Sequence, residues 1–206
     1  GLGIMGKMGN FSASDLKKLQ KKLNQIQGKE VDAFVEACAK DLAARLLTEV
    51  IKRTPVGDYS IEKEVTAKRD SKNHKKGDVY KKRVNPTGKK GGTLRRGWIA
   101  QSHEEAESGK GRPTHEEILE FANGLKISRM GDTLIIEIVN PVEYASYVEY
   151  GHRQTPGRYV PALGKKLKEG WTPGKLMMTV SEQQIQGIAP KVLEARLKKF
   201  LGECMG

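Results

Sequence analysis

Residues 134–151 read LIIEIVNPVEYASYVEYG, and the order of side chains in that stretch limits what can surround it. Leu134, Ile135, Ile136, Ile138 and Val139 make an apolar, largely β-branched run, too short for a helix and bounded by turn residues. Such a run predicts a buried strand. Asn140-Pro141 ends it, because proline donates no ladder hydrogen bond and drives its predecessor into extended conformation. Beyond Pro141 the apolar spacing lengthens to three or four through Val142, Tyr144, Ala145, Tyr147, Val148 and Gly151. This predicts one short amphipathic helix closed by a glycine free to take the left-handed cap. Tyr144, Tyr147 and Tyr150 would set apolar rings at a core edge, with hydroxyls available to partners. A strand, a proline corner and a tyrosine-rich helix form a structural corner and contain no catalytic device.

The flanking segments supply what this corner packs on. Leu125, Ile127 and Arg129 alternate up to a Met130-Gly131-Asp132 turn, which predicts an antiparallel hairpin over 125–129 and 134–140. From Glu30 to Arg53, the residues Val31, Phe34, Val35, Cys38, Leu42, Leu46, Leu47 and Val50 build an apolar stripe opposite Asp32, Glu36, Lys40, Asp41, Arg45 and Glu49. Each such residue contributes ~1.5–3 kcal/mol on burial, so this helix is the natural partner of the face carrying Ile136 and Ile138. The expected fold class is therefore α+β: a small antiparallel sheet packed against a long amphipathic helix, with further helices at the N- and C-termini. Ser12 or Ser14 caps the first of these, with Leu16, Leu19, Leu23 and Ile26 on one face. Ser181 caps the last, with Ile185, Ile188, Val192, Leu193, Leu197 and Phe200 inward and Pro190 kinking or splitting it. Thr93 to Ile99 predicts a helical turn leading into a strand anchored by Trp98. Residues 104–115 read as a loop, 116–123 as a short helix, and Met177, Met178 and Val180 as an edge strand. Residues 1–10 are expected to be a flexible leader or cloning remnant, and 11–206 a single domain.

The chain has 206 residues, 37% hydrophobic and 30% charged, with a net charge of +12. No apolar run approaches the ~18 residues of a transmembrane span, and no membrane partner is expected. Residues 59–92 carry 11 basic against 4 acidic side chains, or +7, more than half the excess in 34 residues. Ile61, Val65 and Ala67, then Val79, Tyr80 and Val84, alternate with charges about a polar tip at 72–78. The segment reads as two weak strands joined by a mobile tip, or as disorder. Lys72, Lys75, Lys76, Lys81, Lys82 and Arg83 are its candidate contacts to an acidic partner or nucleic acid.

Other chemistry finds little support. Gly1, Gly3 and Gly6 match a dinucleotide fingerprint by spacing, but no strand can precede them; no P-loop spacing occurs. His74, His103, His115 and His152 share no metal-ligand spacing, and Cys38 and Cys204 suggest neither a disulfide framework nor a zinc site. No serine or cysteine sits in the context of an activated nucleophile. The expectation is a non-enzyme with no cofactor.

The remaining motifs occur in a telling order. Thr54-Pro55-Val56-Gly57-Asp58 closes the long helix, Gly92-Thr93-Leu94-Arg95-Arg96-Gly97-Trp98 follows, and Tyr144-Ala145 with Tyr147, Glu149, Tyr150 and Gly151 comes after the Asn-Pro corner. This order, across about residues 29 to 201, resembles the minor tail-component family of long-tailed bacteriophages. That family reads T-P-V-D-T-G-x-L-R-x-S-W in one run and then Y-A-x-x-x-E-x-G. Here the two halves of the first run are separated by the basic segment, which is thus an insertion where the family makes a tight turn. The resemblance implies a structural virion protein acting in tail completion or head–tail joining. It implies a homo-oligomeric ring, sixfold as tails of this class are, flanked by neck and tail-tube proteins. It also places the protein at the head–tail junction of the virion and in the host cytoplasm during assembly. Thr54, Pro55, Leu94, Arg95, Trp98, Tyr144, Tyr147, Glu149, Tyr150 and Gly151 would then serve core or subunit interface. The alternative is a nucleic-acid-binding module using 59–92, with contact to phage DNA; it explains the charge but not the motifs.

Overall fold

The computed structural model describes residues 28–131, 133–153, 159–160, 165–166 and 171–205. In chain order these form α1 (Gly28–Arg53), β1 (Ile61–Thr66), β2 (Val79–Val84), α2 (Thr93–Gly97), α3 (His103–Ser108), α4 (His115–Gly124), β3 (Ile127–Met130), β4 (Thr133–Ile136) and α5 (Ala145–Tyr150). Then come β5 (Gly151–Arg153), β6 (Tyr159–Val160), β7 (Lys165–Lys166), β8 (Trp171–Pro173) and α6 (Met177–Met205). The class is α+β, and the described strands pair two by two: β1 with β2, β3 with β4, β5 with β8, β6 with β7. The leader and the helix expected over Leu16–Ile26 lie outside the described residues. No described helix is long and apolar enough to cross a membrane. The chain divides into two compact units.

The first unit contains residues 28–45, 122–137 and 183–205. Here β3 and β4 pair antiparallel, with Ile127 opposite Ile136, and Gly131 turns between them at φ +61°. The hairpin is the expected one, but its second strand stops at Ile136, and Ile135 is 43% exposed. A two-stranded ribbon alternates its side chains. Leu134 and Ile136 are half-buried while Ile135 and, further on, Val139 are exposed. The strand expected to be buried is therefore half-buried on one face and exposed on the other. Arg129 Nη2 donates to Asp32 Oδ1 at 3.1 Å, tying hairpin to α1. Phe34 of α1 stacks on Phe200 of α6 with centroids 4.4 Å apart, and Asp41 accepts from Arg45 and from Arg196 at 3.2 and 2.8 Å. Cys38 is buried, and that burial, only partly offset by Arg196, raises its thiol pKa.

The second unit contains residues 46–121 and described parts of 138–182. Leu47, Val50 and Ile51 from the last turns of α1 are fully buried, as is Met177, and Leu94, Trp98, Ala106, Ile118 and Val142 are nearly so. Thr54 and Ser181 are buried without leaving an orphan donor, because each hydroxyl donates to the carbonyl four residues back, Val50 and Met177, at 2.6 Å. Ser181 is therefore inside α6 and is not its cap; the helix already begins at Met177, where an edge strand was expected, and runs unsplit through Pro190. Trp98 follows α2 in a turn, not in a strand. The expected loop at 104–115 contains α3, whose Ser102 hydroxyl accepts from Glu105 N at 3.2 Å while Glu105 accepts from Gln101 N at 2.8 Å. The tyrosine helix forms as expected over Ala145–Tyr150, and Gly151, at φ +84°, closes it by donating to the Tyr147 carbonyl.

Candidate functional site

Two sequence motifs separated by the basic segment meet in the second unit. Trp98 Nε1 donates to Thr54 Oγ1 at 2.8 Å across 44 positions, and Arg95 Nε donates to the Thr54 carbonyl at 2.7 Å. Asn140, from the proline corner, donates to the Leu94 carbonyl at 2.8 Å and accepts from Val142 N at 3.1 Å. The end of α1, the α2 motif and the Asn-Pro corner are thus clasped by directional bonds around buried Leu94 and Trp98. Backbone contact closes the same junction. A Cβ on Gly91 would strike the Gly57 carbonyl oxygen and lie 2.5 Å from Val56 Cγ1, so only glycine lets the segments entering and leaving the insertion approach this closely.

Arg96, the second arginine of the Gly92–Trp98 motif, is the buried cation of the clasp. Its Nε donates to Ala106 O at 2.7 Å and its Nη1 to Gly111 O at 3.2 Å, with longer contacts at 3.5 Å to Gly91 O and Thr93 Oγ1. Backbone carbonyls solvate the guanidinium, holding the α3 region against the α2 motif. Gly109 makes room for it: a Cβ there would lie 2.7 Å from Arg96 Cδ.

Glu149 is buried and has a clear task. Its Oε2 accepts from Met178 N at 2.9 Å, and its Oε1 from Thr179 N and Thr179 Oγ1 at 2.9 and 2.7 Å. These amides are among those left unpaired at the start of α6, where the helix dipole also favours a carboxylate. With Glu149 fixed inward, Tyr147 and Tyr150 of the same helix are 57% and 69% exposed, while Tyr144, just before the helix, is 39% exposed.

Beside the clasp lies a cavity of about 760 Å³. Pro55, Val56, Leu94 and Val148 give it an apolar wall, with Tyr59 and Tyr144; Lys89, Lys90 and Lys110 stand at it against one carboxylate, Glu107. Burial, then Tyr59 and Glu107, raise the Tyr144 hydroxyl pKa above its ordinary value. His103 also lines the cavity, and its buried Nδ1 has no hydrogen-bond partner among the described residues. Tyr59, His103 and the three lysines were not assigned to a site from sequence, because spatial proximity, not spacing, assembles them.

The basic segment is a hairpin. β1 and β2 pair with Ile61 opposite Val84, Lys63 opposite Lys82 and Val65 opposite Tyr80 on one face. Glu62 opposite Arg83 and Glu64 opposite Lys81 fall on the other. The Lys81-Lys82-Arg83 run, contiguous in sequence, is therefore divided between faces, and two of its charges face glutamates. The tip is hydrogen-bonded: Asp70 and Asp78 cap the amides of Lys76 and Lys75, both at 2.7 Å, and His74 stacks on Tyr80 at 4.0 Å. Lys72, Lys75 and Lys76 remain exposed there. At the stem, Asp58 accepts from Ser60 and Arg83. Ser60 first, then Arg83, hold its carboxyl at about 2. That carboxylate supports the stem above its unfolded pKa of ~3.9, and the support is lost as pH falls through about 2.

Among the described residues, no three of His, Cys, Asp and Glu gather into a metal site. No curated protein and no solved structure matches the chain. A model of the family described as "Bacteriophage HK97-gp10, putative tail-component" matches residues 17–151, about two thirds of the chain, including both halves of the clasp, the hairpin and the tyrosine helix. The chain belongs to this family of bacteriophage tail components.

Proposed function

We propose that this tail component acts in tail completion or head–tail joining, as one subunit of a ring at the phage neck or tail top. The observation that carries this reading is the tyrosine helix: Glu149 fixes it to the body while Tyr147 and Tyr150 stay exposed. Rigid aromatic side chains with polar tips supply interface area at low entropic cost. A sixfold ring follows from the symmetry of tails of this class, with neck and tail-tube proteins as neighbours. The work is structural, without catalysis, and the subunit passes through the host cytoplasm before entering the virion. The basic hairpin serves as an electrostatic arm to an acidic surface on the adjacent ring. Transient phosphate contact with phage DNA is the second reading, favoured by Lys63 directly opposite Lys82, an unfavourable pair that an anion would relieve. Stacking on bases is less suited to this arm, since Tyr80 is occupied by His74 and Tyr59 lines the cavity. Reconstruction of purified particles, or immunogold labelling, is the test: density or label at the head–tail junction is expected, and particles lacking the chain would overturn the reading.

A further inference from the structure

The cavity beside the clasp and the helix α4 have opposite chemistry. Three lysines line the cavity against one carboxylate, together with the apolar Pro55, Val56, Leu94 and Val148, and buried His103 Nδ1 lacks a partner among the described residues. On α4, Ile118 turns inward, and Glu117 is occupied in a capping box with Thr114, at 2.7 and 3.2 Å. Glu116, Leu119 and Glu120 are left exposed at i, i+3 and i+4, one face of the helix. No ion pair engages Glu116, Glu120, Lys89, Lys90 or Lys110 among the described residues. No residue of α4 lines the cavity.

We infer that the cavity receives the Glu116–Leu119–Glu120 face of α4 from a second copy of this chain. The inference rests on the ring reading and names its contact. The two carboxylates meet the lysines, and Leu119 meets Pro55, Val56 and Val148. The size fits: one helical turn, about 11 Å across and 5.4 Å long, displaces roughly 500 Å³, within the 760 Å³ present. Two different patches of one chain meeting head to tail make a heterologous interface, the kind that closes into rings.

The test uses the full chain, half of it ¹⁵N-labelled, concentrated and treated with a zero-length carbodiimide that joins carboxylates to nearby amines. Mixed-label peptides linking Glu116 or Glu120 to Lys89, Lys90 or Lys110 are expected. Mixed-label links only elsewhere, or none, overturn the pairing. A second arm uses two surface variants, Glu116→Lys/Glu120→Lys and Lys89→Glu/Lys90→Glu/Lys110→Glu, each checked for an unchanged melting curve. Each alone loses these links for want of a carboxylate or of an amine, and mixing them should restore an inter-chain link with the signs exchanged. Failure of the mixture to link overturns the pairing. Particles lacking the chain would remove the tail placement while leaving mixed-label links intact. Particles that contain the chain and link its lysines only to another tail protein would remove the pairing alone.

Discussion

Thr54 serves two neighbours with one hydroxyl, donating to Val50 O and accepting from Trp98 Nε1. Thr54→Val keeps the shape and removes the oxygen, leaving the indole N–H buried without an acceptor. An unsatisfied buried donor costs ~1–3 kcal/mol, and for a chain of this size each kcal/mol lowers Tm by about 2–4 °C. Calorimetry should find that loss in Thr54→Val and little of it in Thr54→Ser; an unchanged Tm in both would mean the clasp contributes nothing. The motif threonine and tryptophan were legible in sequence because their order is distinctive. The role of Arg96 was not, because its acceptors are backbone carbonyls of Ala106, Gly91 and Gly111, which no side-chain pattern records.

At the scale of elements, the alternation Ile61, Val65 and Tyr80, Val84 announced the basic hairpin, and the apolar stripe announced α1. The hydrogen bonding of its tip was hidden, since aspartates that cap amides read in sequence like any polar turn. The same blindness made a loop of α3, although Ser102-x-x-Glu105 is a capping signal that could have been read. The apolar run at 134–139 misled in the other direction: hydrophobicity specifies a strand, but a two-stranded ribbon leaves a face uncovered. Replacing residues 60–91 with a short Gly-Ser linker tests the hairpin's independence. Because Gly91 lies against Gly57, the ends of the replaced stretch are close enough for a short linker to span, and thermal unfolding should shift by no more than about 0.5 kcal/mol, the usual range for surface changes. Particle assembly should fall, and any weak DNA binding should vanish. A large drop in Tm would place the hairpin in the core.

At the scale of the whole molecule, function resides in surfaces that a fold does not need. Tyr147 and Tyr150 are exposed, so Tyr147→Ser/Tyr150→Ser should leave stability within ~0.5 kcal/mol, as surface substitutions do. If the tyrosines meet a neighbour, incorporation into particles should fall about tenfold for each ~1.4 kcal/mol by which the substitutions weaken binding. Quantifying the chain in purified virions by mass spectrometry decides it; full incorporation would show that the ring contacts lie elsewhere. Family membership was legible from motif order alone. The cavity was not, since its wall comes from residues scattered between Pro55 and Val148.

The stem contact between Gly57 and Gly91 has a consequence for how such a chain can diversify. A segment whose ends are already held together meets little entropic resistance to growth, since doubling a loop's length adds only ~0.6 kcal/mol to its closure. The position between the two motif halves is therefore a port through which relatives could gain, shed or exchange whole appendages by recombination while the clasp keeps its register. Selection could then refit the subunit to a new neighbour without renegotiating its interior.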